Sequence, residues 1–452
     1  MTRARLDGLY LLLLGGSVVF LLLCFLLVTT TPAAMQDFRV VYYPARCLIQ
    51  HCDPYKEGEV LRIYRAEGGE PPLQAATDRL IVTRYIYPPT AFSITVPFAM
   101  LPWGSARILW MILTAGSLIF ASLLAWNLGA NYAPILSGIL IGFLLANSEV
   151  LIVLGNPAGI VVSLCVVAVW CFLRERFVPA GILCLAISLA VKPHDAGLVW
   201  LYFLLAGGVY RKRALQTLLV TVAISLPVVL WVWHVAPHWM QELHSNILAY
   251  SVHGGLSDPG PASTGTHGAG MMINLQTVIS VFRDDPRIYN PASYLVCGVL
   301  LLAGAVATLR SRYSPRRVLL AMAAIAALSM LPVYHHLYDT KLLLLTVPAC
   351  AMLWAEGGLI GRLAFLVNTA GFALTGDISW TILFRLIGNM HLSTAGMHGR
   401  ILAAMQVFPV PLILLAMGIF YLWVYVRRCS AHARPQPLEN HAGANNLSES
   451  SV

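Results

Sequence analysis

The chain has 452 residues, of which 58% are hydrophobic and only 11% are charged, and its formal net charge is +9 at pH 7. Soluble domains carry about 25% charged residues, so the composition excludes a soluble globular protein. It predicts an all-α protein that crosses a membrane many times. A helix of ~20 apolar residues spans the hydrocarbon, and we interpret twelve apolar runs as spans, namely 9–28, 106–126, 134–146, 158–173, 178–191, 197–209, 215–235, 292–309, 318–331, 342–354, 359–374 and 401–426.

The first apolar run follows Arg3 and Arg5 and resembles the start of a secretory signal. Signal peptides have an apolar core of about 7–15 residues, whereas residues 9–28 form a longer run. We therefore expect an uncleaved first transmembrane helix.

A further apolar run, 88–101, is short and contains Pro88, Pro89 and Pro97. We expect it to be a re-entrant or interfacial segment that does not cross the membrane.

The short loops between the predicted spans carry the basic residues. The clusters lie at 174–176, 211–213 and 310–317, in addition to those near the two termini. Cytoplasmic loops are enriched in Lys and Arg, so these loops and both termini are predicted to be cytoplasmic. The positive charge is accounted for by these flanks, and we expect no nucleic-acid partner.

We expect a single transmembrane domain over residues 1–430, with large external loops at 29–87 and 236–291 and a disordered cytoplasmic tail at 431–452. The tail is polar and lacks an apolar pattern, which is typical of disorder. The external segments carry most of the remaining polar residues. Any chemistry is therefore predicted to face the exterior.

Two of the nine cysteines, Cys47 and Cys52, fall in the first external loop. An oxidising compartment would permit a disulfide between them, and a pair of free thiols is the alternative. Asp284 and Asp285 in the second loop would supply too few ligands for a hard cation. We assign no metal and no cofactor.

Asp37 is the first candidate for chemistry, because it follows the first span closely and so lies near the membrane surface. A carboxylate in that position suits general-base catalysis on an acceptor delivered along the bilayer. The alternative is a solvated acid at a helix end.

A series of short motifs occupies the outward-facing segments. They are Asp37-Phe38 with Tyr42-Tyr43, Asp53-Pro54-Tyr55, Tyr87-Pro88-Pro89, Leu154-Gly155-Asn156, Val191-Lys192-Pro193 and Pro332-Val333-Tyr334-His335-His336. In this order they resemble glycosyltransferase family 87, a branch of the GT-C superfamily that includes polyprenyl-phosphate-mannose-dependent mannosyltransferases. The resemblance covers roughly residues 36–348.

The resemblance implies a GT-C-like helical bundle with its catalytic cavity at the external membrane face. It implies a glycosyltransferase that moves a sugar, such as mannose or another hexose or pentose, from a polyprenyl-phosphate donor to an external glycan or lipid acceptor with inversion. Asp37 would be the catalytic base. The donor phosphate would bind His335 and His336 by motif, with Lys192 and Arg84 added on charge and topology. The remaining predicted cavity residues are Asp53, Tyr55, Tyr87, Asn156 and Lys341, and His194, Asp195 and Asp339 are expected to pair with the cations.

The predicted location is a bacterial inner membrane, with the active site facing the periplasm. The main alternative function is a secondary transporter or a flippase for lipid-linked sugars. Ion-coupled transporters place ionisable residues inside their spans, whereas the predicted spans here are almost free of them. This pattern favours surface chemistry over translocation, and a non-catalytic assembly factor stays open.

Overall fold

A computed structural model describes residues 2–31, 34–67, 84–253, 255, 257–260, 272–311, 314–388 and 396–431. Over this part of the chain the regular structure is helical, apart from one isolated β-bridge between Met272 and His336. We number the helices in chain order: α1 Arg3–Thr30, α2 Gln36–Ile49, α3 Glu57–Ala66, α4 Phe92–Ala99, α5 Trp103–Gly129, α6 Pro134–Ala146, α7 Glu149–Leu154, α8 Ala158–Arg174, α9 Val178–Val191, α10 Pro193–Ala206, α11 Gly208–Val235, α12 Trp239–Tyr250, α13 Leu275–Phe282, α14 Pro286–Arg310, α15 Pro315–Leu328, α16 Thr346–Glu356, α17 Gly358–Thr375, α18 Asp377–Gly388, α19 Gly396–Val407 and α20 Pro409–Ala431.

Three irregular pieces complete these helices. Helix α1 contains a π-helical stretch at Leu11–Val18, and short 3₁₀ helices occur at Pro89–Ala91 and Leu337–Leu345. The second 3₁₀ helix runs directly into α16, and together they form the continuous apolar segment Leu337–Glu356.

Seven helices in the described residues are long and apolar enough to cross a membrane. They are Arg3–Thr30, Trp103–Gly129, Gly208–Val235, Pro286–Arg310, Leu337–Glu356, Gly358–Thr375 and Pro409–Cys429. Three shorter apolar helices, α6, α8 and α9, accompany them. The all-helical membrane fold is confirmed, whereas the number of twelve spans stays a prediction.

The segment predicted to be re-entrant contains the first 3₁₀ turn and the eight-residue helix α4. At 1.5 Å per residue, α4 is about 12 Å long, which is well short of the ~30 Å hydrocarbon layer. Whether this segment enters the bilayer stays a prediction.

Aromatic packing fixes α2 against α5. The Phe38 ring stacks on Trp110 of α5 at 4.5 Å between centroids and on Trp103 at 5.5 Å, and Phe38 is fully buried. Burying a side chain of this size stabilises a fold by about 1.5–3 kcal/mol. The neighbouring residue Asp37 is therefore held on a rigid element.

A disulfide closes the turn that follows α2. Cys47 and Cys52 are joined, with their Cα atoms 5.0 Å apart. Of the two alternatives left by the sequence, the structure contains the bonded pair.

The basic helix ends gather at one face of the bundle. Arg5 of α1 donates to the Asn131 side chain just after α5 at 2.8 Å, and Arg174 of α8 donates to Asn127 of α5 at 3.0–3.1 Å. Arg428 of α20 pairs with Glu356 of α16. That these helix ends are cytoplasmic stays a prediction.

This orientation is testable with single cysteines on either side of α11. Arg176 and His238 are both exposed, and three of the predicted spans, 178–191, 197–209 and 215–235, lie between them in the chain, so they are expected on opposite sides of the membrane. We expect a cysteine at His238 to react with an impermeant thiol reagent in intact cells, and a cysteine at Arg176 to react only after lysis. The unsubstituted protein is the control for its own thiols, and the reverse labelling pattern would invert the topology.

Candidate functional site

The start of α2 is set by its contact with the end of α7. Met35 lies in the left-handed region, with φ +68°, and its N–H donates to the Val153 carbonyl at 2.6 Å. This bond brings the first turn of α2 against the turn that ends α7. Asp37 lies in that first turn.

Gly155 makes this close approach possible. Its φ is +68°, and a Cβ built on it would lie 2.9 Å from Met35 Cε and 3.0 Å from Phe38 Cβ. The indole of Trp110 donates to the Gly155 carbonyl at 2.9 Å. The turn after α7 can therefore pack closely against α2 because Gly155 has no side chain, and the Trp110 bond fixes the turn to α5.

The amide of Asn156 orients the Asp37 carboxylate. Its Oδ1 accepts the Ala158 N–H at 2.9 Å, and its Nδ2 donates to Asp37 Oδ2 at 2.7 Å. Because a backbone N–H only donates, the first bond fixes which end of the amide faces Asp37. The predicted Gly155-Asn156 motif therefore has a defined task, which is to position the carboxylate.

Burial raises the pKa of Asp37 to about 6, against the opposing effects of the Asn156 hydrogen bond and the Lys192 charge. A carboxylate with a pKa near the working pH is suited to general-base catalysis. The dependence on Lys192 also shows that the carboxylate lies within electrostatic reach of a cationic group.

That group is built around a break between α9 and α10. Pro193 cannot continue the preceding helix, and the residue before a proline is kept out of the α region; Lys192 accordingly has φ −137° and ψ 80°. The buried Lys192 ammonium contacts Asp339 Oδ1 at 2.5 Å and Asp195 Oδ2 at 3.1 Å. The expected pairing with these two acids is present.

His335 is fully buried and joins the same group. Its Nδ1 lies 3.0 Å from the Val333 carbonyl, and its Nε2 lies 3.0 Å from Asp195 Oδ1. Both partners accept hydrogen bonds, so the contacts are best satisfied when both ring nitrogens carry a proton. Burial lowers the pKa of His335, but the hydrogen bond and negative charge of Asp195 outweigh it and the net shift is upward.

Two tyrosines pack against His336 and Lys192. His336 contacts the Tyr334 hydroxyl and stacks on Tyr338 at 5.2 Å, and Lys192 Nζ lies 5.6 Å from the centre of the Tyr338 ring. The backbone N–H of His336 donates to Asp339 at 2.9 Å. His336 is thus tied to the Lys192 group through Asp339.

Tyr87 lies within electrostatic reach of Asp37 and of the two acids that pair with Lys192. Burial raises its pKa well above the usual value, and the negative charges of Asp37, Asp339 and Asp195 add to the rise. Tyr55, which is buried, donates its hydroxyl proton to the Tyr87 carbonyl at 3.1 Å. Tyr55, which was predicted to line the cavity, therefore holds the backbone of Tyr87 in place.

Asp53 and Arg84 each pair with a charged side chain outside the Lys192 group. Asp53 accepts the Tyr55 N–H at 3.0 Å and pairs with Lys56 at 3.4 Å. Arg84 pairs with Glu57 at 3.0 Å. Within the part of the chain that the structure describes, neither residue pairs with Lys192 or His335, and their roles toward a substrate stay predictions.

Lys341 belongs to a second buried group. Its Nζ donates to the Asn147 carbonyl at 2.8 Å, to the Thr375 carbonyl at 3.3 Å and to Asp377 Oδ1 at 3.3 Å. These contacts join the 3₁₀ helix at Leu337–Leu345 to α18 and to the end of α6. The structure therefore gives Lys341 an anchoring role, and a substrate contact stays a prediction.

His194, Asp195 and His335 present ligand atoms within 4.8 Å of one another. The ammonium of Lys192 is bound to the same carboxylate, and a divalent cation beside it would be repelled by the like charge. The geometry of the described residues therefore favours protons and hydrogen bonds over a metal at this position.

Sequence reasoning missed the contributions of Tyr338 and Asp377. Tyr338 lies three residues beyond His335, so its closeness in the chain was the available signal. Asp377 follows the apolar helix α17 and is buried at 3% exposure. A lone acid directly after a span was the signal that Lys341 has a partner.

A family model, described as Glycosyltransferase family 87, matches residues 85–334. No curated protein and no solved structure matches the chain. The matched range contains Tyr87, Asn156 and Lys192, whereas Asp37 precedes it and His335 follows it directly.

Replacing Gly155 by alanine tests how the site is positioned. We expect Gly155→Ala to lower the midpoint of thermal unfolding in detergent, because the left-handed conformation alone costs roughly 1–2 kcal/mol for a residue with a Cβ. Gly116→Ala on α5 is the matched control, since a Cβ there meets nothing within 4 Å. Equal midpoints for the two variants would contradict the account of Gly155.

Proposed function

The chain belongs to glycosyltransferase family 87, and from this membership we propose that it transfers a sugar from a polyprenyl-phosphate donor to an external glycan or lipid acceptor with inversion. The sugar would be a hexose or pentose, with mannose the first candidate. One observation carries the proposal: Asp37 is oriented by Asn156 within electrostatic reach of a buried group that contains Lys192 and His335.

Asp37 would act as the base. It would take the proton from the acceptor hydroxyl while that oxygen bonds to the anomeric carbon of the sugar. The bond between the anomeric carbon and the phosphate oxygen breaks in the same step, and the electron pair leaves with the phosphate. General-base assistance of this kind is worth about 10²–10⁴-fold in rate.

The leaving phosphate gains negative charge and needs fixed donors near it. The Lys192 ammonium has three N–H donors, and Asp195 and Asp339 account for two of them. The third would be available to a phosphate oxygen. His335, His336 and Arg84 are the further candidates for phosphate contacts, and Tyr87 would line the path between base and leaving group.

The proposed location is a bacterial plasma membrane, with the site on the periplasmic side. The basic loops, which are typical of a cytoplasmic side, support this orientation, and the contacts of Arg5 and Arg174 bring two of them together near the end of α5. A lipid-linked donor suits that side of the membrane because nucleotide sugars are not supplied there.

The activity is tested with membranes that contain the protein and a radiolabelled polyprenyl-phosphate sugar. Transfer of label to an acceptor supports the enzyme. Movement of the labelled lipid across the bilayer without transfer would contradict the proposal and favour a flippase.

Asp37→Asn keeps the size and polarity of the side chain and removes the base. We expect donor binding to survive and transfer to fall by at least ~10²-fold. In the parent, transfer should rise as the pH increases through about 6, because the base acts only after it has lost its proton.

Asp7→Asn is the matched control, since Asp7 is an exposed acid near the other end of α1. Both proteins are compared as folded, membrane-inserted samples. If Asp37→Asn transfers sugar at the parent rate, the base is another carboxylate, and Asp53 is the next to test.

His335→Gln removes a cation and keeps an amide in its place. The pKa of His335 is raised above its usual value, so the contribution of its charge is present at low pH and is lost as the pH rises through that pKa. We expect the parent to lose transfer on the alkaline side, and His335→Gln to be slower with a flatter alkaline limb. The measurement is kcat/KM against pH, with His336→Gln as the neighbouring comparison. An alkaline limb unchanged in His335→Gln would exclude this histidine as its source.

A further inference from the structure

Asp377 is a buried acid that connects two segments far apart in the chain. It lies at the start of α18 and is 3% exposed. One carboxylate oxygen, Oδ2, accepts the Val150 N–H at 2.9 Å, and the other, Oδ1, lies 3.3 Å from the Lys341 ammonium. Each oxygen therefore holds a different segment, α7 on one side and the 3₁₀ helix Leu337–Leu345 on the other.

Backbone hydrogen bonds beside Asp377 add to this junction. The Asp377 N–H donates to the Asn147 carbonyl at 3.2 Å, and the Ser379 N–H donates to the Asn147 side chain at 3.2 Å. The Lys341 ammonium donates to the same Asn147 carbonyl at 2.8 Å. The first turn of α18, the end of α6 and the 3₁₀ helix are thus tied together at one buried place.

Helix α7 extends the first of these contacts to the proposed base. It has six residues, which is fewer than two turns and leaves little room for bending. The turn at its far end contains Asn156, whose amide donates to Asp37 at 2.7 Å. Within the helix, the Val153 carbonyl accepts the Met35 N–H at the start of α2. The position of the first turn of α7 therefore sets the position of Asn156.

The second contact leads to the cationic group. Asp339 precedes Lys341 by two residues on the 3₁₀ helix, and it binds the Lys192 ammonium at 2.5 Å. A shift of Lys341 would displace Asp339 and with it the ammonium. The distance between the base and the cation thus depends on two segments, and Asp377 contacts both of them.

We propose that Asp377 is a positioning residue, which holds the base of the site at a fixed distance from the buried ammonium. The inference rests on the proposed function, since that function assigns Asp37 as the base. It goes beyond the family match, because position 377 lies outside the matched range 85–334. Asp377 acts through Asn156 and Asp339. The alternative is an acid that only neutralises Lys341, in which case its bond to Val150 would have no effect on catalysis.

The test compares two double variants that differ in the bond to Val150. Both contain Lys341→Met, so that neither leaves a buried ammonium without its carboxylate. Asp377→Asn keeps an oxygen that can accept the Val150 N–H, whereas Asp377→Leu has a similar size and no acceptor. A role confined to charge pairing predicts that the asparagine and leucine variants behave alike.

We expect the leucine variant to have a kcat at least ~10-fold lower than the asparagine variant, because small displacements of reacting groups are costly. Its acid limb should also move to higher pH. Burial raises the pKa of Asp37 to about 6 and the Asn156 hydrogen bond opposes this rise. A weaker bond therefore raises the pKa further, and the base loses its proton at a higher pH. The charges of Lys192 and Asp339, which also act on Asp37, are common to both variants.

Asn156→Ala tests the route through α7. It removes the amide, so it should move the acid limb in the same direction by itself. Residues that act through one another have non-additive effects. In the Asn156→Ala background, the leucine and asparagine variants at Asp377 should therefore share one acid limb. A further shift of equal size in that background would overturn the route.

Hydrogen exchange measures the same connection without a substrate. The Met35 N–H bonds to Val153, and the Ala158 N–H bonds to Asn156 Oδ1 at 2.9 Å, so both amides report on the far end of α7. We expect both to exchange faster in the leucine variant than in the asparagine variant. Asn368→Ala is the matched control for lost stability, because Asn368 is fully buried and donates to a carbonyl of its own helix α17. It should leave both amides at the parent rate.

The outcomes separate this inference from the proposed function. Equal exchange and equal acid limbs in the two double variants would mean that Asp377 only pairs with Lys341, and faster exchange with an unchanged kcat would confine it to stability; either result overturns the inference. If the parent transfers sugar from no polyprenyl-phosphate donor, the proposed function is wrong, and the exchange comparison still decides whether Asp377 positions α7. If the leucine variant does not fold, Asp377→Ala with Lys341→Met replaces it, since alanine also lacks the acceptor.

Discussion

The arrangement of the site depends on one buried ammonium. Lys192 is 5% exposed, and removing a charge from water costs several kcal/mol unless it is paired. Asp195 from α10 and Asp339 from the 3₁₀ helix Leu337–Leu345 meet this need together. Two segments that are far apart in the chain are thereby held at fixed distances. The position of His335, which contacts Asp195, is fixed by the same pairing.

The 3₁₀ helix Leu337–Leu345 is held from two sides. Asp339 contacts Lys192, and two residues later Lys341 contacts Asp377 and the Asn147 carbonyl. In a helix with about three residues per turn, positions two apart face different directions, so one short segment reaches both buried groups. The segment Leu337–Leu345 is buried along its whole length, and the two attachments pair its Asp339 and Lys341 charges there. The same attachments also keep the histidines before the segment in place.

Much of this architecture follows from the sequence because membranes impose simple constraints. Composition indicated the membrane class, and the basic loops predicted which helix ends lie together, as the contacts of Arg5 and Arg174 illustrate. The motif order predicted that Asp37, Asn156 and Lys192 belong to one site, and the hydrogen bond from Asn156 to Asp37 joins two of them. The ion-pair partner of each charged residue could not be predicted from the sequence. Arg84 pairs with Glu57 and Lys341 with Asp377, and both choices depend on how helices pack.

The pairing of Lys192 with two acids also has a consequence for Asp37. If the ammonium contacted Asp37 directly, the opposite charge would favour the ionised carboxylate and lower its pKa. Because Asp195 and Asp339 hold the ammonium, its effect on Asp37 is weaker than that of burial, and the pKa of Asp37 is raised to about 6. The carboxylate is thus oriented by the neutral amide of Asn156 at 2.7 Å and not by a cation. A carboxylate oriented in this way keeps its affinity for a proton, which is the property that the proposed general base would need.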